Sequence, residues 1–227
     1  MEKRKNIILS LIVASSIATF AQAQELGITT SITATNNYVS RGMTQTDDKG
    51  AVFGEVTLSY ENFYTGLWAS NVEFEGADAD SELDVYIGYA TSIGNFNIDT
   101  HYVRYYYPNS EDVMYYDEAV LDLNYTFFDK LTLGGAYYWG THTENNGDKL
   151  DYYEGYASYD FDAVTAHASA GDYENIGDNY SIGLTKSFTL SDDNTLTLDL
   201  TYANYNADSS SGYDDEDNLY ATITYTF

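Results

Sequence analysis

Three groups of residues in this 227-residue chain have types and spacings that could do chemistry. The first is the string His167-Ala-Ser169-Ala-Gly171. On an extended strand, residues two apart share a face, so His167 could take the Ser169 proton and activate its hydroxyl. Ala166, Ala168 and Ala170 are the apolar parity of that segment and turn His167 and Ser169 to the other side. The second group is acidic: Asp214, Asp215 and Asp217, then Asp172, Glu174 and Asp178. Hard oxygen ligands suit calcium or magnesium, but neither run has the spacing of a known calcium loop. Solvated acidic loops explain both, and no cofactor is assigned. The third group is a set of carboxylates placed within strand-like segments: Glu55, Asp84, Asp99, Asp122, Glu154 and Asp199, with Arg41 nearby in the chain's first long link. His101 and His142 have no evident partner.

The elements that hold these residues are strands. Leu83, Val85, Ile87 and Tyr89 alternate with Glu82, Asp84, Tyr86 and Gly88; Leu121 and Leu123 flank Asp122; Leu198 and Leu200 flank Asp199. Such carboxylates are costly in a dry core and acceptable on a water-filled bore. The pattern predicts an all-β, antiparallel, up-and-down transmembrane barrel of twelve strands. They fall near 26–35, 51–60, 63–73, 82–91, 96–106, 115–126, 131–141, 150–161, 164–171, 179–189, 195–205 and 218–227. Most match the ~9–11 residues a tilted strand needs to cross hydrocarbon. Short links (61–62, 92–95, 127–130, 161–163, 191–194) alternate with long ones (36–50, 74–81, 107–114, 142–149, 172–178, 206–217), as in outer-membrane barrels. An even strand count puts both termini on the periplasmic side. Tyr38, Tyr60, Tyr89, Tyr106, Tyr137, Trp139, Tyr159 and Tyr225 are expected to form interfacial girdles. Leu67 and Trp68 compete for the lipid face of the third strand; Lys186, on the lipid parity of its own strand, is expected to snorkel to the periplasmic interface.

The two ends of the chain agree. Lys3, Arg4 and Lys5, an apolar run to Phe20, and Ala21-Gln22-Ala23 read as a cleaved signal peptide, 1–23. The expected mature chain, 24–227, is a single barrel domain. Its loss of three basic and one acidic residue moves the formal net charge from −27 to −29. So acidic a chain repels nucleic acid and attracts cations. There is no cysteine, hence no disulfide framework, and one proline stands against 25 tyrosines, which favours strands. The last residues alternate Leu219, Ala221, Ile223, Tyr225, Phe227 with Tyr220, Thr222, Thr224, Thr226. A strand ending in Tyr225-Thr-Phe227 is similar to the signal read by the barrel-assembly machinery of Gram-negative bacteria.

Asn36-Asn-Tyr-Val-Ser-Arg-Gly-Met-Thr-Gln-Thr46 resembles the opening motif of the TorF family of outer-membrane porins. Gly66-Leu-Trp-Ala-Ser-Asn-Val-Glu-Phe74, Glu82-Leu-Asp-Val-Tyr-Ile-Gly-Tyr89 and Tyr105-Tyr-Tyr-Pro108 continue the likeness through the first half of the mature chain. The resemblance implies an outer-membrane barrel. Arg41, within the motif, could project into the pore mouth or anchor the first loop by pairing with a carboxylate. The His167–Ser169 string resembles that of the outer-membrane phospholipase, but Ala170 stands where that enzyme has asparagine.

Taken together, the expected protein is not an enzyme. It is a passive outer-membrane channel for small hydrophilic solutes or ions, favouring cations, with Glu55, Asp84, Asp99, Asp122, Glu154, Asp199 and Arg41 lining the bore. Its expected partners are outer-membrane lipid, the assembly machinery, and small solutes or cations; the oligomeric state is open. Twelve strands at ~4.8 Å spacing tilted by about 40° leave a bore of no more than roughly 14 Å. Small inward residues (Thr29, Ser31, Thr33, Gly134, Ala136, Ser181, Gly183, Thr185) favour an open bore. Tyr86, Tyr152, Tyr156 and Tyr220 favour the alternative, a closed structural or surface-interaction barrel.

Overall fold

Alternating apolar and polar side chains settle into strands whose two faces meet different surroundings. In the computed structural model of this protein, twelve such strands close into one antiparallel barrel. The structure describes residues 26–74, 77–110, 115–143 and 150–227, and the expected signal peptide lies outside the described residues. The wall consists of β1 (Gly27–Thr35), β4 (Ala51–Tyr60), β5 (Phe63–Asn71), β6 (Ser81–Ile93), β7 (Phe96–Tyr106) and β8 (Tyr115–Phe127), then β9 (Leu131–Thr143), β10 (Tyr152–Asp160), β11 (Thr165–Tyr173), β12 (Gly177–Thr189), β13 (Thr195–Ala207) and β14 (Glu216–Thr226). The missing numbers, β2 (Val39–Ser40) and β3 (Met43–Thr44), form a separate two-strand hairpin. Each wall strand pairs with its neighbour in sequence, and β1 returns to β14.

Tight links occupy one end. Glu61, Gly94, Phe128, Asp129 and Asp162 take positive φ there, the backbone twist a two- to four-residue reversal requires. The opposite end carries the long links, with one exception to the sequence pattern. Residues 172–178 are not a long loop: β11 runs to Tyr173 and β12 begins at Gly177. Asn175 at φ 60° and an Ile176 N–H to Tyr173 C=O bond of 2.9 Å make a tight turn there. Tyr205 Oη donates to the Ile176 carbonyl (2.9 Å), so that turn is pinned to the wall of β13.

The outer face is an apolar belt. Ile28, Val56, Val85, Ile87, Leu121, Ile182, Leu184 and Ile223 are exposed on it. β5 is now unambiguous: Leu67 is 51% exposed outside, and Trp68, 8% exposed, points in. Lys186 shares the outer face, its ammonium 5.3 Å from the Phe188 ring centroid. Tyr60, Tyr137, Trp139 and Tyr159 are exposed as girdle residues should be. Tyr38 is not a girdle residue, because the chain after β1 turns inward and buries its ring against Phe53 and Trp68. Both clusters of buried apolar side chains lie inside, one around Tyr38, Trp68, Tyr105 and Tyr107, the other around Met43, Tyr152, Tyr173 and Tyr205.

Candidate functional site

The site begins where β1 ends. Instead of looping outward, residues 37–46 fold back into the barrel and are buried at nearly every position. Arg41 and Gly42, the central pair of the β2–β3 hairpin, both have positive φ (47° and 84°), the geometry of a type I′ turn. Gly42 has no alternative: a Cβ there would lie 2.8 Å from the Asn204 carbonyl. An arginine in this region is uncommon, and here the tertiary contacts hold it. The hairpin is tied to β14: Thr44 N–H donates to Glu216 Oε2 (2.7 Å), and Asn218 Nδ2 donates to the Gly42 carbonyl (2.9 Å).

From this platform Arg41 crosses the bore. Its Nη2 reaches Glu118 Oε1 at 2.9 Å and Oε2 at 2.8 Å, and both side chains are buried. The guanidinium carbon lies 4.2, 4.7 and 4.8 Å from the ring centroids of Tyr152, Tyr138 and Tyr173. Three desolvated rings and one carboxylate thus hold a single cation. The loop-anchoring reading of Arg41 matches this geometry, with the difference that the anchor lies within the bore. Glu118, absent from the expected site residues, has the same parity on β8 as Asp122 and could have been found by it.

The inward carboxylates follow one rule, acceptance of a tyrosine hydroxyl. Tyr86 donates to Glu55 (2.7 Å), Tyr107 to Glu82 (2.9 Å), Tyr105 to Glu118 (2.8 Å) and Tyr152 to Glu154 (3.2 Å). Tyr64 donates to both oxygens of Asp99, and Tyr156 to both oxygens of Asp122. Asp199 instead takes Thr185 (2.7 Å) and Thr201 (2.6 Å), and lies 2.9 Å from His167 Nε2. Such charge-assisted bonds let an ion sit in a narrow bore without full hydration. Asp84 departs from the rule. It is fully buried, and neither of its oxygens has a donor. All six expected carboxylates therefore face inward, but not into equal amounts of water.

The tyrosines also change the meaning of the small inward residues. Gly66, Gly88 and Gly134 lie directly opposite Tyr86, Tyr64 and Tyr156 on the next strand, and each ring covers its glycine. Gly134 is thus the floor for a ring rather than open bore. The wall from β11 through β14 to β1 is different: there Ser169–Ser181, Ser187–Thr197 and Thr33–Thr224 hydroxyl pairs leave the lining short.

Other expected chemistry is not assembled. Ser169 Oγ bonds Ser181, and His167 turns to Asp199, so the His–Ser pair does not form. His101 does have a partner, its Nδ1 lying 2.8 Å from Asp99 Oδ1. Arg104 is on the outer face, because β7 parity puts it beside Tyr102, where it binds Asp117 through Nε and Nη2 (both 2.7 Å). Asp215 accepts the Ala207 N–H and Asp217 accepts the Tyr202 hydroxyl, so these do not converge with Asp214. Among the described residues, no three His, Cys, Asp or Glu side chains gather as metal ligands.

A closed twelve-strand barrel with an apolar belt, a charged interior and an inward-folded first loop defines a porin-type fold. The chain belongs to a family described as "Bacterial protein of unknown function (Gcw_chp)", whose model matches residues 21–227. Among solved structures it is similar to the KdgM porin, at 9% identity and a TM-score of 0.59 over 88% of this chain and 98% of that one. It is likewise similar to the NanC porin, at 12% identity and a TM-score of 0.54 over 87% and 98%. At these identities the likeness is one of fold. No curated protein matches the sequence.

Proposed function

We propose that this protein is a narrow, passive outer-membrane channel that favours cations and small neutral hydrophilic solutes. The observation that carries the reading is the charge of the bore. Glu55, Asp99, Asp122 and Glu154, each held by a tyrosine hydroxyl, and Asp199 face it, and among the described residues Arg41 is its one lysine or arginine, already matched by the buried Glu118. A low-dielectric wall focuses that field, raising cation concentration and depressing anions. The apolar belt and the fold shared with KdgM and NanC support the membrane location. One KdgM structure holds disordered oligogalacturonate; a carboxylate-lined bore disfavours so anionic a solute here. The segment that resembles the TorF opening motif, residues 36–46, is the same segment that forms the inward hairpin, which ties the likeness to the constriction. On this reading the tight turns face the periplasm, with both ends of the barrel strand set, and the long links face outward.

A second reading has one observation behind it. The hairpin, apart from Thr44, and Tyr105, Tyr107, Tyr152, Tyr173 and Tyr205 are buried at the long-loop end, as in a closed structural barrel. Planar-bilayer recording separates the two. Under a potassium chloride gradient the channel reading expects a cation-selective reversal potential, larger at low salt. Silence in folded protein, and in a variant lacking residues 38–46, would establish the closed barrel.

A further inference from the structure

The bore has two unlike walls. From β5 to β10 tyrosines and carboxylates fill it, whereas from β11 through β14 to β1 most inward side chains are short hydroxyls. Between the hairpin and the tight turns, that second wall carries one ionic pair among the described residues. His167 on β11 reaches across β12 to β13, its Nε2 2.9 Å from Asp199 Oδ2. It can do so because β12 presents Gly183 beneath it, where a Cβ would lie 2.5 Å from the imidazole Cε1 and Nε2. Thr185 and Thr201 donate to the same carboxylate and fix its position (2.7 and 2.6 Å). With Asp199 as the acceptor, a neutral imidazole carries its hydrogen on Nε2 and keeps a lone pair on Nδ1. The other titratable groups on this side are few. On β10, Tyr156 and Asp160 share the inward parity of Ser158, the residue opposite His167. Tyr156 is bonded to Asp122, and Asp160 accepts the Asp162 N–H at the turn end. On β14, Tyr220 stands opposite Thr201.

On the channel reading, we propose that His167 is a specificity-determining residue of the pore, setting how much of the Asp199 charge a passing ion meets. With the imidazole neutral, the pair presents one negative charge to the open wall. A proton on Nδ1 makes the pair neutral overall. Histidine changes charge between about pH 5 and 8, so cation preference weakens as pH falls through that range. A second pair, His101 with Asp99 (2.8 Å), has the same chemistry but a poorer view of the path. Its two side chains are each 13% exposed, against 30% for His167 and 19% for Asp199. It stands on the filled wall, with Tyr64 on both oxygens of Asp99 and Asp122 directly opposite that residue. Exposure therefore gives His167 the larger share of the response.

The test is the reversal potential of the full folded barrel across a potassium chloride gradient at low salt, measured from about pH 8 to about pH 5. The cation-to-anion permeability ratio is expected to fall by about twofold or more over that range. His167→Gln should remove at least half of that fall, and His101→Gln less. Asp199→Asn should start from a weaker preference at high pH yet still respond to acid, because a protonated His167 then adds a positive charge instead of cancelling a negative one. A pH response unchanged in His167→Gln, or one lost in Asp199→Asn alone, would overturn the inference and assign the titration to a carboxylate. A larger loss in His101→Gln would overturn it in favour of the other pair. In each of these cases cation preference at high pH survives, and the channel reading with it. No cation preference at any pH, in protein that shows the gel shift of a folded barrel, would overturn both.

Discussion

Arg41 is held in the left-handed region, inside a barrel, by one carboxylate and three aromatic rings. Removing one partner of a buried pair leaves the other charge uncompensated, at a cost of about 3–5 kcal/mol. Glu118→Gln is therefore expected to lower the denaturant midpoint of the barrel, followed by the gel shift between folded and heated protein. An unchanged midpoint would mean that the hairpin docks through Asn218 and Glu216 alone. Asp84 should behave in the opposite way. Its two oxygens lack donors and its surface is fully covered, so Asp84→Asn removes a carboxyl that is neither solvated nor bonded and is expected to raise the midpoint. Because Asp84 is sealed off, it should also contribute less to selectivity than Asp122 and Asp199. Asp122→Asn with Asp199→Asn should shift the reversal potential toward zero, and a larger effect from Asp84→Asn would contradict the burial. Ser169→Ala loses one partly exposed hydroxyl pair, worth about 1 kcal/mol or less, and should leave behaviour nearly unchanged. A hydrolase activity abolished by that change would instead restore the catalytic reading.

Among the elements, the closing seam and the hairpin matter most. β12 and β13 pair over thirteen positions, whereas β1 and β14 pair over five, Ser31–Thr35 against 222–226. Side chains lengthen that seam at the long-loop end: Asn36 Oδ1 accepts the Ala221 N–H (2.6 Å), and Thr35 Oγ1 donates to the Ala221 carbonyl (3.2 Å). At the other end the last residue completes it, Phe227 N–H to Thr30 (2.9 Å) and Thr30 N–H back to Phe227 (3.0 Å). The Phe227 ring stacks on Tyr225 at 5.4 Å. Deleting Phe227 removes two ladder bonds from the shortest seam, together with the residue proposed to be read during assembly. The amount of folded barrel in membrane fractions is expected to fall while signal cleavage is unaffected; normal levels would make the terminal residue incidental. The hairpin is expected to set the conductance: replacing residues 38–46 with a short polar turn should raise single-channel current while retaining cation preference. Current unchanged by that replacement would move the constriction elsewhere.

Over the whole molecule, one rule of parity accounts for most of what can be read without coordinates. A strand side chain has two directions, so a run of alternating Leu and Asp places the acids in the bore before any fold is known. That is why Glu55, Asp84, Asp99, Asp122, Glu154 and Asp199 were legible, as were the twelve-strand architecture and most strand boundaries to within a residue or two. Parity is a local rule, and it is silent about what lies across a lumen or on a neighbouring strand. It could not decide between Leu67 and Trp68, because both faces of β5 are apolar. Link length could not show that residues 37–46 fold inward. Loops default to the surface, and this one turns in because Gly42 fits against Asn204 and Arg41 finds Glu118, on strands far away in sequence. Nor could inward tyrosines and inward glycines be counted separately as closing and opening the bore, because their pairing across adjacent strands depends on register. The sequence by itself determined a barrel, the sign of its interior and the identity of its outer belt, since these follow from a period of two. Only the tertiary structure decided how much of that interior is open, since that depends on side chains meeting across the barrel.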